Sequence, residues 1–399
     1  MSYYLIDPTE TQQLWPISRT RPVAEILLGI LTIRQKWEKY LVAAVSHICK
    51  PPLSLHYNEN TGPSEHIFIA GNLLPDDILA SKIRELKVGQ GLHAKGRLLA
   101  AHLPSFDRES EFHLNMPGIS TMLECDSAVF LDQLWQIFQF TDRELRKDFN
   151  LLTSGNKSAS LSSTNTILGE QLYCAENVNA ECAIINTRTG PVFLDSGVEI
   201  MEGAMLRGPI YLGKNSQVKL GAKIYGASSF GPECRLGGEI NNSVVLGYSN
   251  KGHDGFLGNA VVGEWCNIGA DSNNSNLKNN YEEVKIWSYV QEKFVRTGSQ
   301  FCGLIMGDHA KCGINTMFNT GTVVGVGANV FGEGFPRQFI PDFAWGGASG
   351  FSTFQAAKFF VTAENMMSRR HKSLAETERE ILELIFRETE KYRSWERIA

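Results

Sequence analysis

The stretch LDSGVEIMEGAMLRGPIYLGKNSQVKLGAKIYGASSFGPECRL, residues 194–236, decides the fold. Every sixth position in it is apolar: Leu194, Ile200, Leu206, Leu212, Val218, Ile224, Phe230 and Leu236. Four places after each come Val198, Ala204, Ile210, Ser216, Ala222, Ser228, Cys234 and Ile240, mostly small or β-branched. A period of six fits neither the 3.6 of a helix nor the alternation of a half-buried strand. It is the hexapeptide repeat of a β-helix, in which each unit gives one short strand and a corner, and three units close a coil of about eighteen residues. Gly197, Gly203, Gly213, Gly221 and Gly231 fall near the corners, where the backbone turns sharply. The expectation is a left-handed parallel β-helix.

The period returns at Met306, Cys312, Phe318, Val324 and Val330, with Ala310, Thr316, Thr322 and Ala328 four places on. One solenoid therefore spans roughly 167–332, with interruptions, and residues that leave a regular scaffold are the ones available to bind and react. Upstream, short apolar runs at 3–6 and 67–70 alternate with helical spacing at 32–45, 77–86 and 130–149, which predicts an α/β layer domain with a mostly parallel sheet. The Ser/Thr/Asn-rich run TSGNKSASLSSTNT separates the two. The predicted organisation is an α/β domain over 1–152, a linker over 153–166, the β-helix over 167–340 and a helical tail over 341–399. Helices expected near 353–367 and 373–392 would cap the end of the solenoid, which otherwise leaves strand edges unpaired.

Acidic side chains outnumber basic ones, 43 to 38, and no Lys/Arg run gives support for nucleic-acid or membrane-surface partners. The start, MSYYLIDPTE, lacks a basic flank with a long apolar core, and no stretch of about eighteen apolar residues occurs, so a cytoplasmic enzyme is expected. Eight cysteines show no CxxC and no pairing rhythm; several occupy inward repeat positions, which favours reduced core residues over metal or redox use.

The first interruption of the repeat is GYSNKGHDGF, 247–256, which sets His253 in a glycine-flanked loop; VGEWCNIGADSNNSNLKNN, 262–280, starts a second one coil later. A lone histidine is commonly a surface residue, and its neighbours carry the argument. Residues about one coil apart stack at one strand spacing, so Glu239, His253 and Asn267 are expected to converge.

These residues, with the KGH, FLGNAVVG and NIGA segments, resemble the acetyltransferase half of the bifunctional N-acetylglucosamine-1-phosphate uridyltransferase/glucosamine-1-phosphate N-acetyltransferases. The resemblance implies a homotrimer with the acyl site between subunits and acetyl-CoA as cosubstrate. It places the catalytic histidine on His253, its acidic partner on Glu239, the sugar-phosphate asparagine on Asn267, and an alanine near the coenzyme on Ala270. Acetyl transfer to an amine needs a base of near-neutral pKa to take the ammonium proton, and histidine is that residue type.

Departures bear on the substrate. The family's tyrosine three places after the histidine is Phe256; a phosphate-binding lysine aligns with Asn241; Lys223 and Arg235 are candidates for the arginine before it, and Lys251 and Lys278 are further substrate candidates. A coenzyme serine aligns with Ile314, leaving Asn315 and Arg337 as further coenzyme candidates.

The amino-terminal half resembles sugar-phosphate nucleotidyltransferases. LWPISRTRP, 14–22, is similar to their R-L-x-P-L-T-x-x-x-P-K segment, and IFIAGNLLPD to the strand ending in a metal-binding aspartate. The segment before it, IDPTETQQLWP, has no glycine, although glycine is what lets phosphates approach the backbone closely. Arg19 and Arg21 are the phosphate candidates, and Asn72 with Asp76 the candidates for Mg2+, Asn72 standing where the family has the aspartate. The expectation is a transferase of UDP-N-acetylglucosamine-type synthesis, binding sugar phosphates and nucleotides. The alternatives are one retained activity, or a non-catalytic trimeric scaffold that binds a sugar nucleotide.

Overall fold

The computed structural model describes residues 2–57, 66–107 and 110–398. The chain separates into two compact units, the first built from 1–26, 31–133 and 376–381, the second from 27–30, 134–375 and 382–399.

In the first unit, β1 (Ser2–Ile6) leads through α1 (Ile33–Leu41) to β2 (Val45–Ile48), then to β3 (His66–Ala70), α2 (Asp77–Arg84), β4 (Gln90–Ala94), β5 (Arg97–Leu103) and β6 (Thr121–Glu124). The spatial order is β2-β1-β3-β5-β4-β6. The β2–β1–β3 portion and the β4–β6 pair are parallel, while β5 runs antiparallel to both its neighbours. The sheet is thus mixed rather than mostly parallel. α1 starts on a capping box: the Thr32 hydroxyl accepts from the Gln35 N–H and the Gln35 side chain accepts from the Thr32 N–H. Because β1 is followed in space by β2 on one side and β3 on the other, the carboxyl ends of β1 and β3 form the position where the strand order reverses.

The second unit is the parallel β-helix read from the six-residue period. Its three sides are sheets of nine, ten and six strands, the third extended by the pair Asn273–Asn274 with Met317–Phe318. Successive coils stack in register: Leu194 on Leu212, and Leu212 on Phe230. All eight sixth-position side chains of 194–236, and all eight four places later, are buried. At roughly 1.5–3 kcal/mol for each fully buried large aliphatic or aromatic side chain, this column is the main source of the unit's stability. The corners leave little space: a Cβ on Gly231 would come within 1.4 Å of the Leu246 carbonyl oxygen.

The helix α3 (Gln136–Thr153) belongs by packing to this second unit. Phe149 meets Phe193 edge-on at 6.5 Å, and the buried Asp148 carboxylate accepts from the Ile30 N–H at 2.8 Å. The expected boundary at 153 therefore differs from the change of unit at Leu134. The reason is that an amphipathic helix can cover whichever apolar face is nearest, and this one covers the coil.

The far end is closed as a tail was expected to do, with a hairpin as well as helices. Asn329–Val330 pairs in parallel with Ala344–Gly347, which turns back antiparallel onto Gly350–Thr353. Trp395 stacks on Phe351 at 5.9 Å, and its indole N–H donates to the Thr353 hydroxyl at 2.9 Å. Between them lies α4 (Ala356–Ser368), and α5 (Glu376–Glu388) follows. No helix among the described residues is long and apolar enough to cross a membrane.

Candidate functional site

The coils shorten where the sequence loses its period. Phe230 stacks on Val245, and Leu236 on Lys251, so a coil of eighteen residues becomes one of fifteen. The next corner, residues 252–255, carries His253 exposed. It opens onto a groove of about 770 Å³. His253, Asn267 and Ala270 line its coil side together with Arg235, Asn250 and Lys311, and Asn365, Arg369 and Arg370 line the opposite wall from the end of α4 and the turn after it. Asn267 is held by the Asn250 amide, which donates to its Oδ1 at 3.2 Å. The Ala270 carbonyl accepts from the Asn315 N–H at 2.8 Å. A shallower groove of about 280 Å³ on the other side of His253 is lined by Gly237, Gly238, Asp254, Ala270 and Asp271.

The larger groove is strongly cationic in a chain of net charge −5. Lys219, Arg235, Lys311, Arg369 and Arg370 all line it. Glu233 pairs with Arg235 at 3.2 Å and Arg370 at 3.7 Å, so one carboxylate is shared between two guanidiniums. Burial, and then the Arg235 charge, hold the Arg370 pKa below its ordinary value. Burial also pulls Lys311, whose Nζ donates to the His309 carbonyl at 2.9 Å, down to about 8. Such an arrangement favours an anion, because a phosphate or carboxylate relieves both the repulsion and the desolvation.

The other expected residues fall elsewhere. Glu239 lies in the adjoining sheet, between Lys223 and Phe256; its N–H donates to the Gly255 carbonyl at 3.1 Å and its carboxylate accepts the Tyr225 hydroxyl at 2.5 Å. Asn241 stacks in the same sheet between Tyr225 and Gly258. Lys278 donates to the Glu283 carbonyl at 3.1 Å inside the long excursion, and Arg337 lies over the Phe351 ring at 5.4 Å. The asparagines of that excursion work as backbone substitutes: Asn273 and Asn274 side-chain oxygens each accept at 2.8 Å, from the Phe256 and Gly258 N–H groups. Lys251, expected at the surface as a substrate ligand, is instead 2% exposed and points into the coil. Arg235, a candidate for the family's phosphate arginine, lines the groove, while Lys311, Arg369 and Arg370 were not anticipated; the signal available for two of them was the RRHK run at 369–372 directly after a helix.

In the first unit, Asp76 is a helix N-cap, its Oδ1 accepting from the Leu79 N–H at 2.8 Å. Asn72 is fully buried and its amide donates to Asp132 at 2.8 Å. Asn72 offers an amide rather than a carboxylate, the exposed Asp76 spends Oδ1 on the helix cap, and no group of three His, Cys, Asp or Glu side chains suited to a metal occurs among the described residues, so this pair does not fit Mg2+. Arg19 and Arg21 are both buried, Arg19 over the Trp15 ring at 4.0 Å. The segment after β1, where phosphates would need an open glycine loop, is a 3-10 turn over Thr9–Leu14. Seven of the eight cysteines are buried and all are free, as core residues.

Residues 3–157 match the family model for sugar nucleotidyl transferases. The chain resembles bifunctional proteins that join such a domain to an acetyltransferase. It is 30% identical over 95 residues to the bifunctional protein GlmU of Methanococcus aeolicus, covering 23% of this chain and 22% of that one. With the bifunctional sugar-1-phosphate nucleotidylyltransferase/acetyltransferase of Sulfurisphaera tokodaii it shares 30% over 93 residues, 23% of each. GlmU of Synechococcus elongatus is 24% identical over 187 residues, 45% of this chain and 36% of that one. The matched stretches thus span between 22% and 36% of those relatives. Among solved structures, an Arabidopsis UDP-N-acetylglucosamine acyltransferase aligns over 55% of this chain and 88% of its own, at 13% identity and a TM-score of 0.24.

Proposed function

We propose that the second unit transfers an acetyl group from acetyl-CoA to the amine of an amino-sugar 1-phosphate, with His253 as general base. The observation that carries this reading is the exposed imidazole at the mouth of a cationic groove it shares with Asn267 and Ala270. In the reaction the sugar amine attacks the thioester carbonyl; the C–N bond forms, the C–S bond breaks, and the amine proton passes through the imidazole to the leaving thiolate. The groove cations serve the phosphates of one or both substrates, and Asn267 serves the sugar. Glu239, whose N–H donates to the Gly255 carbonyl at the corner that carries His253, is the acidic partner in this reading, and the active form is a homotrimer. The first unit, in a cytoplasmic bifunctional enzyme of this type, would hold a nucleotide or sugar nucleotide.

The test is thiol release from acetyl-CoA with glucosamine 1-phosphate. The wild type should release thiol, and His253→Ala should lower the rate by about 100-fold or more without changing the oligomer. Equal silence of both proteins across several amino sugars would favour the scaffold. A second reading applies to the first unit, and the glycine-free turn over Thr9–Leu14 favours it: binding of a sugar nucleotide without nucleotidyl transfer. Pyrophosphate release from UTP or TTP with a sugar 1-phosphate and Mg2+ would exclude it.

A further inference from the structure

One inward position of the β-helix carries a charge. Stacked directly on Leu236, where the period calls for an aliphatic side chain, stands Lys251. Its ammonium does not escape to solvent. It lies beneath the corner that carries His253 and donates to three backbone carbonyls, those of His253 at 2.5 Å, Asp254 at 3.2 Å and Gly237 at 3.3 Å. All three donors of the ammonium are thereby used. Burial pulls its pKa down to about 8, against the opposing charge of Asp254.

Enclosing a cation costs free energy that a leucine at the same position would not. Breaks of a local rule that persist inside a regular scaffold mark places where something other than packing is being secured. What a lysine supplies here, and a leucine lacks, is a grip on the carbonyls of the corner. The same corner is bracketed by the coils on either side. A Cβ on Gly237 would stand 2.5 Å from the Gly252 carbonyl oxygen, and one on Gly238 would stand 2.8 Å from that of His253. From the next coil the Asp271 N–H donates to the Asp254 carbonyl at 3.0 Å. The backbone of His253 is therefore clamped on the interior side by Lys251, while its imidazole remains outside.

We propose that Lys251 is a positioning residue for His253: its enclosed ammonium gathers the carbonyls of Gly237, His253 and Asp254 and so fixes the imidazole at the groove mouth. The kinetic consequence rests on the reading of His253 as general base; the structural one does not. Two variants and two measurements separate them. Lys251→Met fills the interior without a donor, and Lys251→Gln keeps one. Hydrogen exchange followed by mass spectrometry reads the amides of 252–256 against those of 194–236. In Lys251→Met the corner amides should exchange about 10-fold faster or more while the distant coils stay within about twofold. The kcat of acetyl transfer should fall on the order of 100-fold, with the KM for acetyl-CoA within about twofold, and Lys251→Gln should recover part of the loss. Unchanged corner exchange overturns the proposal. So does equal loosening of every coil, a failure of both variants to fold, or a loosened corner with undiminished kcat, since each makes the lysine mere filling. Should the wild type prove inactive, the reading of His253 fails while the exchange measurement still decides whether Lys251 holds the corner.

Discussion

Replacing Asp7 by asparagine should stabilise the first unit at neutral pH and do nothing for it in acid. Asp7 follows β1 at the carboxyl end of the sheet, half-buried, and accepts from the Val23 N–H at 3.0 Å. Burial raises its pKa from 3.8 to about 6, outweighing that hydrogen bond and the nearby His47. The folded state therefore holds the proton more tightly than the unfolded chain does. Its contribution is fully present below about pH 4 and is lost as the pH rises through 6. A difference of about two pKa units corresponds to about 3 kcal/mol, which solvent screening of a half-buried group reduces to about 1–2 kcal/mol. The asparagine keeps an oxygen for Val23 and removes the charge. Its neighbour Glu25 titrates in the opposite sense: although burial raises its pKa, hydrogen bonds from His47 and Arg34 win and bring it to about 2. The stability Glu25 contributes is present above about pH 4.5 and lost as the pH falls towards 2, so the two windows scarcely overlap. Urea unfolding of wild type and Asp7→Asn, read by tryptophan fluorescence and by amide exchange in β1, should show a gain of about 1–2 kcal/mol at pH 7.5 that shrinks to nothing near pH 4. A variant no more stable at pH 7.5 than at pH 4, relative to wild type, would refute the assignment of a strained carboxylate.

Leu212→Ala, in the middle of the stacked aliphatic column, should cost about 2–5 kcal/mol in the β-helix transition, measured by denaturant melts. Gly231→Ala should cost about 3 kcal/mol or more, because the new methyl meets the Leu246 carbonyl rather than a side chain able to turn aside; a melting temperature within a degree of wild type would contradict the corner geometry. Thr32→Ala removes the capping box of α1 and should lower the stability of the first unit by about 1 kcal/mol. Arg370→Gln should raise the KM of the anionic substrate about 10-fold with little change in kcat, an effect that weakens as salt is added.

The β-helix was legible because its signal is periodic and long: the interior of a coil admits only what fits, so the sixth positions from Leu194 to Leu236 had little freedom. His253 was legible for a related reason, as a glycine-flanked polar loop in an otherwise strict repeat. Asn267 and Ala270, placed beside it by the resemblance, share its groove, whereas the position of Glu239 was harder to read, because counting one coil ahead assumes coils of constant length and ignores which side of the prism a residue occupies. Glu239 stacks on Phe256, seventeen residues on, and His253 stands three residues short of that, at the corner between two sheets. Asn267 stacks on Asn250, on the far side of that corner. Lys251 was read as a surface ligand because composition shows a charge and not the side to which a strand turns it. The wall formed by Arg369 and Arg370 depends on where a helix docks, and amphipathicity alone leaves that choice open for α3 and α4 alike.

The reversed strand at Gly350–Thr353 has a consequence for the fate of the molecule in concentrated solution. A stack of parallel rungs is a template onto which another copy's first rung can add, and repeated addition makes a fibre. Here the last rung offers a partner running the wrong way, with Trp395 laid against Phe351 beside it, so head-to-tail growth finds no matching edge. Deleting 350–399 should therefore produce sedimenting polymers at a protein concentration where the full chain stays dispersed.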